Sequence, residues 1–349
     1  MRGARRPGWA APAALVCAVG CGPELPTGPD APGSLATGPG TVSSGGPLVF
    51  TASPVDAVVL DFILPLGNLS PPDHTLPSDH IYFYVGFLRP GVRGVPVVAP
   101  GDGTITTILR SSQPDTKIFV RVSSTHQYYL DHVVPDPGTQ PGTRLTAGQP
   151  IGTSGSGFGV DLGVINATRT LTFANPARYP SDTLHADAPL QYYTELVRSQ
   201  LYAMVRRDSD GRDGRIDYDV AGRLLGNWFV EGLPVLRSAD ISAGPAELAF
   251  VFDNVGPSEA IVSSGGLLGL TGTYRIQAEA VPFAEVLPES GVVAYRLSQS
   301  GGTMGIRSPV VVGTLLVQMT APERVRVELV RGEALVEPVF SANARTYVR

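Results

Sequence analysis

The segment Gly94-Val95-Pro96-Val97-Val98-Ala99-Pro100-Gly101-Asp102-Gly103-Thr104-Ile105 decides the fold class, because it combines two extended runs with a tight turn. Val95 to Pro100 favours a strand, Gly101 to Gly103 favours a turn, and the β-branched residues that follow favour a second strand. Similar strand and turn signals recur at intervals of about ten residues between His80 and Val164. This spacing predicts an all-β, or mainly β, domain.

One helix interrupts the strand signals. From Pro189 to Arg206 the apolar residues follow helical spacing and form a single stripe, made of Leu190, Tyr193, Leu196, Val197, Leu201 and Val205. The polar stretch 207–214 follows, and strand-like runs return from Ile216 to the last residue. We therefore predict a first β-domain over residues 47–207 and a second, a β-sandwich or barrel, over residues 215–349.

Residues 1–21 have the pattern of an export signal. Basic residues at positions 2, 5 and 6 precede a short apolar stretch that ends Ala18-Val19-Gly20-Cys21. This ending resembles the lipobox of bacterial lipoproteins, which implies that Cys21 is acylated and anchors an exported protein to a membrane of the cell envelope. The alternative is ordinary secretory cleavage, which leaves Cys21 as a free thiol. Residues 22–46, rich in Gly, Pro, Ser and Thr, are predicted to be a flexible linker.

The amino-acid composition argues against disulfide bonds and against nucleic-acid binding. The only cysteines are Cys17, inside the predicted signal, and Cys21, so the mature chain has no pair to form a disulfide. A net charge of −5 offers no basic surface for phosphate backbones, and nucleic-acid binding is not expected. Lys117 is the single lysine among 26 Lys and Arg residues, which we attribute to codon usage.

Three motifs resemble those of the lysostaphin- and LytM-type peptidoglycan endopeptidases. The hairpin segment 94–105 is similar to the family's "G-x-P-V-x-A-P-x-D-G-x-V", and Leu145 to Gly155 is similar to its "V-x-A-G-Q-x-I-G-x-S-G". Pro189-Leu190-Gln191-Tyr192 is similar to the "D-P-x-x-Y" that ends those domains. Order and spacing agree over about a third of the chain, from His80 to Tyr193. The resemblance implies a LytM-like β-sheet domain.

The same resemblance implies that the catalytic zinc site is degenerate. Active members bind zinc through a His-x-x-x-Asp pair and the second histidine of a His-x-His pair. Here His80 matches the first ligand, Tyr84 stands at the aspartate position, and Gly163 stands at the second histidine. Asp161 replaces the histidine that assists proton transfer, and His132 matches a histidine that stabilises the transition state. A purely structural His132, held by Asp131 or by a backbone carbonyl, is the favoured interpretation.

These residues predict a non-catalytic lipoprotein without a cofactor, which uses its peptidase-like domain as a binding or adaptor module. The expected partner is cell-wall peptidoglycan or an envelope protein. One alternative is an active zinc metalloendopeptidase that cleaves peptidoglycan cross-links and binds zinc through His80, His132 and Asp161. Another is a ligand carrier, because Gly226-Asn227-Trp228 is similar to the Gly-x-Trp of lipocalin-like barrels, although we predict that Trp228 plugs a barrel end.

Two further motifs carry no functional prediction. Asp208 to Gly214 has alternating acids, as calcium loops do, but Arg212 occupies a ligand position, so a solvated linker is favoured. Gly152 to Gly157 is rich in glycine, but neither a lysine nor a helix follows it, so a β-turn is favoured over a phosphate loop.

Overall fold

A computed structural model describes residues 47–110, 114–155, 157, 159–233, 241–300, 308–332 and 337–349. The predicted signal peptide, Cys21 and the predicted linker lie outside the described residues. Within the described ranges, none of the helices has the length and apolar character needed to cross a membrane.

The first part of the chain forms a ten-stranded antiparallel sheet. Both strands predicted in the segment 94–105 belong to it, but they pair with other strands and not with each other as a hairpin. Its strands are β1 (Leu60–Leu64), β2 (Ile81–Val85), β3 (Pro96–Val98), β4 (Gly103–Arg110), β5 (Thr116–Arg121), β6 (His126–Pro135), β7 (Arg144–Leu145), β8 (Pro150–Ser154), β9 (Gly159–Asn166) and β10 (Ala186–Asp187). The order across the sheet is β1-β2-β9-β6-β5-β4-β7, with β10 on β9 and with β8 between β6 and β3. The strands β2, β9 and β6 therefore lie side by side near its centre.

The second part forms a closed antiparallel barrel of eight strands. They are β11 (Gly226–Val230), β12 (Glu247–Phe252), β13 (Ala260–Gly265), β14 (Thr271–Ile276), β15 (Val293–Gln299), β16 (Val311–Ala321), β17 (Arg324–Arg331) and β18 (Arg345–Val348). Each strand pairs with the next, and β18 closes on β11. The prediction of a LytM-like sheet followed by a second β-domain is confirmed, and the second domain is a barrel rather than a sandwich.

The predicted helix over Pro189 to Arg206 is wrong in extent. The structure has a short 3-10 helix at Pro189–Tyr192 and a separate helix at Glu195–Tyr202. Other helices in the described ranges are Ser181–Leu184 and the 3-10 turns Pro176–Arg178, Ile241–Ala246, Phe283–Glu285 and Pro288–Ser290. The break arises because Phe50 pairs with the chain between the two helices. Its N–H donates to the Tyr192 carbonyl at 2.8 Å, and its carbonyl accepts from Thr194 N at 2.9 Å. Backbone pairing to a distant segment outweighs the local apolar periodicity.

Trp228 belongs to the packed core of the barrel. It is fully buried, and its indole N–H donates to the Leu224 carbonyl at 2.8 Å. The guanidinium of Arg349 lies 4.0 Å from the centre of the indole ring and donates to nearby backbone carbonyls. A cavity of about 10 Å³ remains between barrel side chains such as Val262 and Leu315, which is space for about one water molecule.

Contacts join the sheet to the barrel at several places. Thr75 Oγ donates to the Gly244 carbonyl at 2.8 Å, and Asn254 Nδ2 donates to the Pro65 carbonyl at 3.2 Å. The segment that we predicted to separate the two domains is itself hydrogen-bonded, because Arg206 N donates to Ile63 O and Asp208 N donates to Val255 O. These contacts fix the loop 67–79, which carries His74 and leads into β2.

Candidate functional site

The three central strands bring together three of the residues singled out from the sequence. Asp161 on β9 faces Tyr82 on β2 and Asp131 on β6 in the strand register. His80 immediately precedes β2, and His132 follows Asp131 in β6. The Asp161 Oδ2 atom lies 3.4 Å from His80 Nε2 and 3.5 Å from His132 Nε2. The structure thus places His80, His132 and Asp161 around one carboxylate oxygen.

A second carboxylate holds each imidazole on its other side. Asp79 Oδ1 lies 3.0 Å from His80 Nδ1, and Asp115 Oδ2 lies 3.3 Å from His132 Nδ1. Asp79, His80, Asp161, His132 and Asp115 therefore form an alternating series, which we call the carboxylate–imidazole row. The side chain of Asp115 is 1% exposed and that of Asp161 is 8% exposed, whereas that of His132 is 38% exposed. The row is buried in its middle, partly exposed at Asp79, and most exposed at His132, where it reaches the surface.

His132 reaches the row through an unusual backbone conformation. It is the one described residue other than glycine with a positive φ, of 61°, and it lies where β6 changes partners. Up to Asp131 the strand pairs with β9, and from Val133 it pairs with β8. Asp131 accepts the backbone N–H of His132 at 2.7 Å, so it supports the turn. The ring itself contacts Asp115 and Asp161 instead of Asp131, which corrects the predicted partner.

Charge and burial oppose each other in the row. Burial raises the pKa of Asp161 above its usual value, although the neighbouring His132 and His80 lower it. Burial lowers the pKa of His132, but the charges of Asp161, Asp131 and Asp115 raise it by more, so that the net shift is upward. The positively charged form of His132 is favoured because it can donate one N–H to each flanking carboxylate.

Asp79 is the most strongly bonded carboxylate of the row. It accepts hydrogen bonds from Tyr129 Oη at 3.0 Å and from Thr183 Oγ at 2.5 Å, in addition to its contact with His80. Burial raises the pKa of Asp79. The hydrogen bond and charge of His80, together with Lys117 and Thr183, lower it by more, so the net pKa is well below the usual range. Asp79 is therefore an ionised carboxylate that hydrogen-bonds to three side chains.

Gly163 leaves a space that Tyr129 fills. The two residues are direct partners across β9 and β6. A Cβ atom at position 163 would lie 2.1 Å from Tyr129 Cζ and 2.5 Å from Tyr129 Oη, far inside van der Waals contact. The ring of Tyr129 is 2% exposed, and its hydroxyl lies 3.4 Å from His80 Nδ1. The phenol thus occupies the volume in which the resemblance implies a histidine ligand.

Tyr84 is not brought to this centre. It lies near the far end of β2, where it pairs with Gly159 on β9. Gly159 is four residues from Gly163 along β9, a distance of about 13 Å in an extended strand. Its ring stacks on Phe62 with the centroids 4.7 Å apart. Burial, together with the charge of Asp161, raises the pKa of the Tyr84 phenol to about 12, so it is a neutral aromatic side chain at neutral pH.

Three residues of the centre were not predicted from the sequence. Asp79 and Asp115 complete the carboxylate–imidazole row, and His74 packs edge-on against His80 with ring centroids 5.2 Å apart. Burial and the nearby His80 lower the pKa of His74 to about 3, so its imidazole is neutral. The concentration of His74, Asp79 and His80 within seven residues was the available signal. Asp115 had none, because its role depends on the position of β5 beside β6.

The residues at the family's ligand positions do not fit a catalytic zinc ion. Both nitrogens of His80 face carboxylates, the position of Gly163 is filled by Tyr129, and Tyr84 lies too far along the sheet. Throughout the described ranges, no group of three His, Cys, Asp or Glu side chains has the arrangement of a metal site. The centre is instead a charge-paired network, in which His80 Nε2 is buried 3.4 Å from Asp161 Oδ2 but has no hydrogen-bond partner among the described residues.

Comparisons with known proteins agree in fold class. No protein-family model matches the chain, and no curated protein matches it. Among solved structures, a zinc-containing peptidase from Vibrio cholerae is 18% identical over 35% of this chain, with a TM-score of 0.29. The catalytic domain of the prophage-encoded M23 protein EnpA from Enterococcus faecalis is 17% identical over 35% of this chain and 83% of its own length, with a TM-score of 0.22.

Lysostaphin is 13% identical over 59% of this chain and 78% of its own length, with a TM-score of 0.24. The match spans 38% of the Vibrio cholerae peptidase, so the chain shares only part of that protein. The predicted resemblance is confirmed at this level: the structural neighbours of the chain are peptidases of the M23 and lysostaphin type.

Proposed function

We propose that the protein is an exported, membrane-anchored lipoprotein whose peptidase-like sheet binds cell-wall peptidoglycan without cleaving it. The observation that carries this proposal is the position of Tyr129, whose ring fills the space that a metal-binding side chain at Gly163 would need. A hydrolytic zinc site requires about three protein donors and an open position for water. The donors that remain here are already paired with one another.

The surface around His132 is the proposed binding surface. The His132 side chain is 38% exposed, and Lys117 and Phe119 on the neighbouring strand β5 are partly buried. An imidazole that can donate hydrogen bonds, an ammonium group and an aromatic ring together suit a peptide, which offers carbonyl oxygens and apolar side chains. Peptidoglycan stem peptides have this chemistry.

The full-length protein, purified in detergent, should sediment with purified peptidoglycan and release no soluble fragments from it, with or without added zinc. Replacing His132 with Asn should weaken sedimentation about tenfold, because Asn tolerates the positive φ but lacks the imidazole. His126→Asn is the matched control, since His126 lies on the same strand and packs near Tyr192, away from the row. Absence of sedimentation, or equal losses in the two variants, would contradict the proposal.

A second candidate, the zinc endopeptidase with altered ligands, has one observation in its favour. Two imidazole nitrogens lie 3.4 and 3.5 Å from the same Asp161 oxygen. Donor atoms about 2.1 Å from a tetrahedral zinc ion are separated by about 3.4 Å. Stoichiometric zinc in the purified protein that is lost in both His80→Ala and Asp161→Ala, together with metal-dependent cleavage of peptidoglycan, would establish this candidate and replace the first.

The lipid anchor is tested separately at Cys21. Cys21→Ser removes the thiol that acylation requires, so the variant should move from the membrane fraction to the soluble fraction of the cell envelope. Mass spectrometry of the wild-type N-terminal peptide should show an acylated Cys21. Cys17→Ser, inside the predicted signal, is the control and should leave the protein in the membrane fraction. A Cys21→Ser variant that stays membrane-bound would contradict the anchor.

A further inference from the structure

We infer that Tyr129 and Lys117 together are a built-in substitute for a metal cation, with the phenol filling the ligand space and the ammonium supplying the positive charge. The inference deepens the proposed function, because it states what replaced the metal in a centre that binds without cleaving. It rests on three observations: the space beside Gly163, the carboxylates around it, and the position of the one lysine in the chain.

The phenol accounts for the volume and for part of the bonding. Its oxygen lies 3.0 Å from Asp79 Oδ1 and 3.4 Å from His80 Nδ1, two atoms that are themselves 3.0 Å apart, so the O–H group lies beside a direct contact between a carboxylate and an imidazole. A metal ion between such groups would act as an electron-pair acceptor for both. The hydroxyl satisfies Asp79 by donating a hydrogen bond, but it carries no charge, because burial and the charge of Asp79 raise the pKa of Tyr129 well above its usual value.

The positive charge comes from Lys117. Its ammonium lies 3.8 Å from the centre of the Tyr129 ring and 5.3 Å from that of Phe119. Burial raises the pKa of Asp79, Asp161 and Asp182, and the positive charge of Lys117 is among the influences that lower it. The ring of Tyr129 therefore contacts both the ammonium and Gly163, and its hydroxyl links it to Asp79 in the row.

The choice of lysine is consistent with this role. The chain uses arginine at all but one of its 26 Lys and Arg positions, and the exception is at this centre. An ammonium group is a compact point charge on a flexible stem, whereas a guanidinium is a wide planar group. A compact charge resembles a metal ion more closely, so the single lysine has a structural explanation that codon usage does not supply.

The test is the thermal unfolding of the full-length protein in detergent. Lys117→Met retains the apolar stem and removes the charge, and it should lower the unfolding midpoint by about 4 °C. Millimolar magnesium chloride should restore at least half of that loss, because a hard cation can reach the partly exposed carboxylates of Asp79 and Asp182. Sodium chloride at equal ionic strength should restore less. Neither salt should raise the midpoint of the wild type by a similar amount.

Controls separate charge from packing. Lys117→Arg retains the charge and should lower the unfolding midpoint less than Lys117→Met does. Arg144→Met removes an exposed charge from β7 and should leave the midpoint unchanged. If Lys117→Met does not fold, Lys117→Met with Asp182→Asn should fold, because one repelling carboxylate is also removed. Equal losses for Lys117→Met and Lys117→Arg, or no response to magnesium, would overturn the inference. Sedimentation with peptidoglycan is a separate measurement, so failure of the proposed function is distinguishable.

Discussion

Replacing Gly163 with Ala is expected to lower the free energy of unfolding by about 3 kcal/mol, a large effect for one added methyl group. The new Cβ would lie 2.1 Å from Tyr129 Cζ, and the ring cannot move away without breaking the hydrogen bond between Tyr129 and Asp79. In a strand with ordinary backbone angles, Gly→Ala commonly stabilises by restricting the unfolded chain. The expected sign is therefore opposite to the usual one, and denaturant unfolding measures it.

Two comparisons isolate the cause. Gly138 has open space around its Cβ position and no positive φ, so Gly138→Ala should leave stability unchanged or raise it slightly. Adding Gly163→Ala to a Tyr129→Ala background should cost nothing further, because the clashing ring is gone. If Gly163→Ala is as stable as the wild type, Tyr129 does not occupy the space assigned to it, and the argument for a non-catalytic centre loses its main support.

The fold was predictable where local chemistry determines it. In the turn between β3 and β4, Gly101 and Gly103 are required by close packing. A Cβ would lie 2.8 Å from the Val49 carbonyl at the first and 2.5 Å from the Val120 side chain at the second. Such glycines form recognisable motifs in the sequence. The regular spacing of strand signals predicted the sheet and the second β-domain for the same reason.

The composition of the candidate site was predictable only in part. His80, His132 and Asp161 follow from motif positions, but their partners depend on register and on a local change of backbone direction at His132. Tyr129 is 34 residues away from Gly163 in sequence and meets it only because β6 and β9 pair at that point. The predicted helix from Pro189 is too long because the break after Tyr192 depends on pairing with Phe50, which lies much farther away in the sequence.

The double variant Tyr129→Ala with Gly163→His is expected to bind one zinc ion per chain, which the wild-type protein should not. Removing the phenol opens a space that Asp79 Oδ1 and His80 Nδ1 border, since these atoms lie 3.0 and 3.4 Å from the Tyr129 hydroxyl oxygen. An imidazole introduced at position 163 starts from a Cβ that lies 2.5 Å from the same oxygen position. Carboxylate, imidazole and imidazole would then surround one point, a donor set that binds zinc in proteins.

The expected change is large because two donors are already in place. We expect the double variant to bind zinc with a Kd of about 1 µM or lower. Free zinc at a hundred times the Kd should then raise its free energy of unfolding by about 2.7 kcal/mol. Metal analysis after dialysis gives the stoichiometry, and thermal unfolding with and without zinc gives the stabilisation. Tyr129→Ala alone supplies only two donors and should bind far less zinc.

The decisive control removes a donor from the new site without touching position 163. Adding Asp79→Asn to the double variant should abolish the zinc-dependent stabilisation, because an uncharged amide is a poor zinc ligand beside the two imidazoles. Gly163→His alone should be strongly destabilised by the Tyr129 ring and should gain no zinc. If the double variant binds no more zinc than Tyr129→Ala does, the space around the Tyr129 hydroxyl is not a closed metal site, and the proposal of a non-catalytic centre loses this support.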